Sequence, residues 1–256
     1  MKGRIPVKRL LILVLALLLL SFPALSEPLP LLEDYADEQV IPWDESNPAA
    51  GSFSYSYHYP HVDPASEGGA KINSFYLDLA TYTDSFTIPY NMDACRDMGG
   101  DSSVEISYTV TCNNDRFFSV LIRNANAVPG LSTVSWEGHV FSRLEGKADS
   151  TMTLPQLLGI LATDENDTWL QDRQTAKAEK LIREMIWDRM RDNAEGIDYY
   201  ADFVEEDLEH YFFPEEDFYL DENADPVFFL QPGIAAPESA GLIVFALPLE
   251  DILDEM

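Results

Sequence analysis

The chain has 256 residues, enough for one large domain or two small ones, and 46% of them are hydrophobic, which excludes an intrinsically disordered protein. Its formal net charge of −29, from 45 acidic and 16 basic residues, excludes nucleic acid and anionic lipid headgroups as partners because like charges repel. The same charge favours a cationic partner, although it also serves solubility alone.

Residues 1–26 have the layout of a secretory signal peptide. Four basic residues precede an apolar run of 11 residues, Leu10 to Leu20, and Ala24 and Ser26 supply the small residues before a cleavage point. We expect cleavage; the alternative is an uncleaved anchor, because 17 uncharged residues follow the last base and a membrane span needs about 20 apolar residues. The sequence thus predicts a bacterial protein that is secreted or held at the extracellular face of the cytoplasmic membrane. Membrane contact is expected only through this segment, if it stays uncleaved.

Residues 27–52 combine prolines and acidic residues with little periodicity, which predicts a flexible acidic leader. The pattern changes at residue 53, where apolar and polar residues begin to alternate. Residues 53–148 are predicted to form an N-terminal α+β part. Its elements are a strand at 53–59, a helix at 69–84, hairpin strands at 104–110 and 118–122 around a turn at 113–115, and a third strand at 132–143.

Residues 149–256 are predicted to form a C-terminal α+β part. Thr153 can cap a short helix with Pro155 at its first position, and a long helix runs from residue 168 to a terminating Gly196. A short helix at 199–212, strands at 218–220, 227–230 and 241–247, and a final helix after Pro248 complete this part. The predicted fold class is α+β, with antiparallel sheets, helices packed on one face, and two sub-regions.

Cys95 and Cys112 are the only two cysteines. In an exported protein, a pair of cysteines most simply forms a disulfide, and we expect that pairing here. Two thiols are too few for a structural zinc site, which usually needs four ligands.

Catalytic and metal-binding patterns are weak throughout the chain. His58, His61 and Asp63 spell H-x-x-H-x-D, but Pro60 interrupts the strand between the histidines and no second ligand cluster follows. A calcium-loop pattern begins at Asp221, but prolines stand at the two positions where the loop needs its glycine and its bidentate glutamate. The motifs of serine hydrolases, zinc proteases and phosphate-binding loops are absent from the sequence. We expect no catalytic residue, no metal and no cofactor.

Residues 195–225 hold 13 acidic residues and neither lysine nor arginine. Such a run is most often a solvated face, and the alternative is a surface for a basic partner.

The C-terminal stretch carries a family resemblance. Its strands, turn and loop, FYLDENADPVFFLQPGIAAPESAGLIVFALP, resemble the end of the extracellular domain of the anti-sigma factor RsiV. The same domain type stands ahead of the catalytic domain in PdaC-like peptidoglycan deacetylases. The matching positions are Phe228, Phe229, Gln231, Pro232, Ala236, Pro237, Ala240, Gly241 and Pro248, with weaker matches at Tyr59-Pro60 and Ile72-Asn73.

The resemblance covers roughly residues 53–254, and it departs from the family in the loop. Gly233 and Glu238 stand where the family often has tyrosine, and Ile234 stands where it has glutamate. Neither a sigma-binding domain nor a deacetylase domain accompanies this region, so we expect neither of those activities.

The resemblance implies a non-catalytic binding module. The domain acts as a lysozyme receptor in RsiV, so the first hypothesis is recognition of a cationic, lysozyme-like protein at the cell surface. A cell-wall glycan such as peptidoglycan is the second hypothesis, and an unrecognised hydrolase is the third. The ligand-binding residues that the resemblance suggests lie in the loop: Gln231, Pro232, Ile234, Pro237 and Glu238.

Overall fold

The computed structural model describes residues 27–144, 151–160 and 168–256. These residues form two β-sheets with helices packed against them, and the chain therefore has the α+β fold that the sequence predicts. The predicted signal peptide or anchor, and the predicted boundary between residues 148 and 149, lie outside the described residues. Within the described ranges, no helix has the length and apolar character that crossing a membrane requires.

The first sheet has five strands in chain order and is antiparallel except between its second and third strands. That pair runs parallel because two helices connect the strands, and a connection of this length can return the chain to the same end of the sheet. The sequence predicts only antiparallel pairing, so the parallel pair is a correction. The strands are β1 (Tyr35–Pro42), β2 (Ser52–Tyr59), β3 (Ser102–Asn113), β4 (Phe117–Val128) and β5 (Leu131–Ser142).

Two helices pack against the first sheet. Helix α1 spans Gly69–Tyr82, helix α2 spans Ile88–Arg96, and a π-helical turn at Thr83–Thr87 joins them. Alternate strand residues point into the core beneath these helices, as the period of two predicts. The largest fully buried side chains of this first core are Phe53, Ile72, Tyr76, Phe118, Ile122 and Phe141.

The second sheet has three antiparallel strands, β6 (Phe218–Leu220), β7 (Pro226–Leu230) and β8 (Ile243–Ala246). Asp221 closes the turn between β6 and β7, because its carboxylate accepts hydrogen bonds from the backbone N–H groups of Asn223 and Asp225 at 2.8 and 3.0 Å. The calcium-loop pattern that begins at Asp221 therefore forms a turn between β6 and β7. The accompanying helices are α3 (Leu154–Leu157), α4 (Thr168–Asp192), α5 (Leu208–Tyr211) and α6 (Leu249–Glu255).

Helix α4 supplies the apolar stripe of the second core. The stripe runs at intervals of four residues, and its buried members are Ala178, Ile182, Ile186 and Met190. The helix ends at Asp192 and not at Gly196, because Asn193 adopts a left-handed φ of 46°. The Asn193 side chain also bonds the backbone N–H and C=O of Ile197 at 2.8 and 2.9 Å, which satisfies groups beyond the helix end.

The two sheets meet at β4 and β5. Six consecutive β4 residues, 117–122, are buried because the first core covers one face of the strand and the second sheet covers the other. The Ser119 hydroxyl accepts a hydrogen bond of 2.9 Å from the N–H of Leu220 on β6. The sheets therefore share a buried contact and do not fold as separate surfaces.

Residues 27–52 are not a flexible leader, so that prediction is wrong. Strand β1 pairs along its full length with β2, and Leu29 is buried. The Asn113 side chain holds the leader, since it bonds both the N–H and the C=O of Leu29 at 2.7 and 3.0 Å. The prolines of this region argued against a strand in the sequence, but the one proline within β1, Pro42, is its last residue.

The predicted disulfide is also wrong. Cys95 lies on α2 and packs into the first core, whereas Cys112 lies on β3 and packs into the second core. Both thiols are free and buried. Burial raises the pKa of the Cys112 thiol to about 11, so this cysteine is a small apolar core residue and not a nucleophile.

Candidate functional site

A cleft of about 640 Å³ lies where the two sheets meet, and we call it the inter-sheet cleft. One wall comes from β5 and the other from the segment that leads into β6. Its described lining residues hold four carboxylates and neither lysine nor arginine. The residues that give it chemical character are Phe75, Trp136, Glu137, His139, Glu215, Glu216, Asp217 and Gln231.

Two features bring the walls together. Gly138 on β5 has no side chain where the backbone of β6 passes, and a Cβ there would lie 1.8 Å from the carbonyl oxygen of Phe218. Gln231 reaches across at the end of β7 and bonds both backbone groups of Trp136, accepting from its N–H at 2.9 Å and donating to its C=O at 2.7 Å. Because Trp136 belongs to β5, this side chain pairs with the strand edge as a neighbouring strand would.

The β5 wall contains a chain of three polar side chains that begins in the first core. The hydroxyl of buried Tyr76 lies 3.3 Å from His139 Nδ1, and His139 Nε2 lies 2.9 Å from Glu137 Oε1. Burial raises the pKa of Tyr76 well above its usual value, so the hydroxyl keeps its proton and donates a hydrogen bond to His139 Nδ1. In this arrangement His139 Nε2 carries the ring proton and donates a hydrogen bond to Glu137. This hydrogen bond lowers the pKa of Glu137.

The opposite wall carries the acidic residues 215–217. Burial raises the pKa of Asp217 to about 6, although its carboxylate accepts a hydrogen bond of 2.8 Å from the N–H of Phe213. Burial also raises the pKa of Glu215, and neighbouring carboxylates add to the effect. Raised pKa values on this wall mean that its negative charge is incompletely compensated, so a cation placed in the cleft would be bound favourably.

The inter-sheet cleft therefore offers aromatic rings and carboxylates whose charge is incompletely compensated, which are the groups that bind ammonium and guanidinium ions. Among the described residues, no group of three or more His, Cys, Asp and Glu is arranged to hold a metal ion. His58 and His61, the candidates of the H-x-x-H-x-D pattern, have other partners: His58 lies 3.4 Å from Asp34, and His61 Nδ1 lies 3.0 Å from the carbonyl oxygen of Glu33.

Comparison with known proteins adds one family. Residues 170–250 match the family DUF3298, described as a protein of unknown function. Residues 170–250 are therefore similar to DUF3298 proteins, and we call them the DUF3298-matching region. No curated protein matches the chain.

Two solved structures of DUF3298 proteins share the fold. One, from Bacteroides fragilis, superposes with a TM-score of 0.54 at 12% identity and covers 91% of this chain and 94% of its own. Another, from Pseudomonas aeruginosa, superposes with a TM-score of 0.50 at 15% identity and covers 89% of this chain and 94% of its own. At these identities the likeness shows the fold alone, and it extends beyond the DUF3298-matching region to nearly the whole chain.

The loop residues suggested by the resemblance all lie in the DUF3298-matching region, but the fold does not gather them at the cleft. Of the five, only Gln231 lines the cleft, and there it bonds the β5 backbone. Pro232 and Ile234 are half-buried, while Pro237 and Glu238 are exposed. Gly233 adopts a φ of 83°, where a tyrosine would be strained, so the departure from the family pattern matches the backbone at this position.

The β5 residues of the cleft were missed by sequence reasoning and lie outside the DUF3298-matching region. Gly138 carried the available signal, because a glycine in the middle of a strand often marks a close backbone approach. Glu137 and His139 flank it and carried no signal of their own. Asp217 was predicted only as one member of a long acidic run.

Proposed function

We propose that this chain is an exported, non-catalytic binding domain of the RsiV extracellular type, which recognises a cationic protein such as lysozyme at the bacterial cell surface. The observation that carries the proposal is the inter-sheet cleft, whose described lining residues combine four carboxylates with aromatic rings and include neither lysine nor arginine. A lysine or arginine side chain of a partner would supply the missing positive charge.

The charge of the whole chain supports the same kind of partner. A net charge of −29 attracts a basic protein over long distances and raises the rate of encounter. Steering alone selects no particular protein, so selectivity has to come from the shape of the contact surface and its aromatic residues.

The arrangement of His139 supports a role without catalysis. Its side chain is only 4% exposed, and both ring nitrogens have partners within the protein. A general acid or base must reach the proton that it transfers, and an imidazole enclosed in this way does not reach a substrate. Its contacts are those of a residue that positions Glu137 at the rim of the cleft.

A lysozyme titration tests the proposal. The full-length chain is expected to bind lysozyme at low salt and to lose affinity steeply between about 50 and 300 mM salt, because the Debye length falls below 10 Å in that range. Replacing Glu215 and Glu216 with glutamine should weaken binding. Replacing the exposed Glu250 and Asp254 on α6 with their amides removes the same charge from another surface and serves as the matched control.

Two outcomes would contradict the proposal. Absence of lysozyme binding at low salt would remove the partner class. Equal weakening by the cleft pair and the α6 pair would show that net charge alone acts, without a site in the cleft.

A cell-wall glycan is the second candidate function, and exposed aromatic rings favour it. Tyr82, Phe86 and Tyr90 are each more than half exposed, and exposed aromatic rings can pack against sugar rings. Sedimentation with purified peptidoglycan tests this candidate, and a chain that stays entirely in the supernatant would argue against it.

A further inference from the structure

Three aromatic side chains form an exposed stack along α1 and α2, and we call them the aromatic row. Tyr82, Phe86 and Tyr90 are 55%, 53% and 65% exposed. The ring centroids of Tyr82 and Phe86 lie 5.2 Å apart with the planes 29° from parallel, and those of Phe86 and Tyr90 lie 6.0 Å apart and 9° from parallel. Among the described residues, these rings stack on one another and on no buried ring.

The backbone explains why the row is straight. In a regular α-helix, residues four apart are offset by about 40°, so three rings in succession would wind around the axis. The π-helical turn at Thr83–Thr87 takes about one residue more per turn and reduces this offset between Tyr82 and Phe86. Pro89 favours the turn because it has no N–H to donate within a continuous helix, and the N–H of Ile88 bonds the carbonyl of Thr83, five residues back.

The surroundings of the row are acidic. Helical spacing places Asp78 one turn before Tyr82 and Asp93 one turn after Tyr90, and both aspartates are exposed. Arg96 is the one base on α2, and it lies 3.6 Å from Asp93. Aromatic faces bordered by carboxylates fit arginine and lysine side chains, whose charge pairs with the acids while the guanidinium or ammonium lies over a ring.

The row continues from the inter-sheet cleft along one side of α1. Phe75 lines the cleft, and Tyr82 lies two turns further on nearly the same face, about 10 Å along the axis. A protein interface of ordinary size buries about 800 Å² on each partner, which is broad enough to cover both the cleft and the row.

We propose that the aromatic row is a docking surface for the cationic protein, whose arginine or lysine side chains pack against the exposed parts of the Tyr82, Phe86 and Tyr90 rings. This inference rests on the proposed function and assigns a second contact region to it. The cleft supplies charge, and the row supplies the aromatic contacts that dominate binding at most interfaces. Exposed aromatic rings on a rigid helical support lose little conformational entropy on binding, which suits them to this role.

Lysozyme binding to the full-length chain tests the assignment through single and paired substitutions in the row. Phe86→Ala combined with Tyr90→Ala should weaken affinity by about tenfold or more, because alanine substitutions at aromatic interface centres have effects of that size. Trp169→Ala is the matched control, since Trp169 is an exposed aromatic residue at the start of α4. The affinity of this variant for lysozyme should change less than about twofold.

A second comparison separates ring chemistry from apolar area and from damage to the fold. Tyr90→Phe keeps the aromatic face and should bind lysozyme nearly as the unaltered chain does. Tyr90→Leu keeps apolar volume without a π-face and should bind more weakly. Thermal unfolding should be nearly unchanged in all the row variants, because the side chains that are removed are exposed.

The outcomes distinguish this inference from the proposed function. If the unaltered chain does not bind lysozyme, the proposed function is overturned and the row loses its partner. If the unaltered chain binds and the row variants bind equally well, only the inference is overturned. The inference is likewise overturned if the row variants lose retention on peptidoglycan while lysozyme binding persists, because the row would then be a glycan surface.

Discussion

Replacement of Gly138 by alanine is the sharpest test of how the two sheets are joined. A Cβ at this position would lie 1.8 Å from the carbonyl oxygen and 2.7 Å from the carbonyl carbon of Phe218. Both atoms belong to the backbone of β6, so no side chain can rotate to relieve the contact. The strands must separate by about 1 Å or more, since packed protein interiors do not accept such an overlap.

The size of the effect follows from the bonds that this separation would break. The hydrogen bonds nearest the contact, among the described residues, are one from Leu220 to Ser119 and two between Gln231 and Trp136. Each contributes about 1 kcal/mol, and lost packing beneath them adds about 1–3 kcal/mol. We expect Gly138→Ala to reduce the free energy of unfolding by about 4–6 kcal/mol, which is a large effect for the addition of one methyl group.

Equilibrium unfolding in urea measures this loss. Thr133→Ala on the same strand is the control, because Thr133 is exposed and its replacement should change stability by no more than about 0.5 kcal/mol. The variant should also lose lysozyme affinity if the cleft walls separate. A loss of stability below about 1 kcal/mol for Gly138→Ala would refute the close approach of β5 and β6.

Three further predictions follow from the same contacts. Burial raises the pKa of Asp217 to about 6, above its unfolded value, so the folded chain holds this proton more tightly and stability falls as the pH rises from about 4 through 6. Asp217→Asn should therefore raise the free energy of unfolding at pH 7, measured in urea, by about 1 kcal/mol after allowance for solvent screening. Near pH 4 the variant and the unaltered chain should have the same stability. A difference that does not change with pH would contradict this prediction. Gln231→Ala should reduce the free energy of unfolding by about 2–3 kcal/mol, because both backbone groups of Trp136 lose their partner, and Gln231→Glu should cost no less, because its carboxylate would face the Trp136 carbonyl oxygen and the acidic wall. Titration with a thiol reagent should find two free thiols, Cys95 and Cys112, after unfolding without reductant and almost none beforehand; a disulfide would leave none in either state.

Local patterns predicted most of the secondary structure because they depend on neighbouring residues. The alternation over 53–59 and the stripe of α4 each correspond to an observed element, and β6 begins and ends at the predicted residues. The errors occur where a distant contact decides. Strand β1 forms because it pairs with β2 and because Asn113 holds Leu29 in the segment before it. Its own sequence has no pattern that predicts a strand.

The candidate site was less predictable for the same reason. The resemblance directed attention to the loop from Gln231 to Glu238, yet only Gln231 lines the cleft, and its role is to bond the β5 backbone. Sequence separation hides the cleft, since its two walls lie about eighty residues apart along the chain. The aromatic row was equally hidden, because a π-helical turn, which the sequence did not predict, aligns its rings.

The sequence by itself determined the α+β class, the order of most elements, the acidic charge and the absence of catalytic motifs, because composition and short-range periodicity encode these properties directly. Tertiary structure alone decided that the two cysteines occupy separate cores and that two strands pair in parallel. It also decided that the backbone of β6 passes against Gly138, where a side chain would overlap it. These outcomes depend on which surfaces meet after folding. The inter-sheet cleft forms only at such a meeting, where backbone contact and buried carboxylates combine residues from distant parts of the chain.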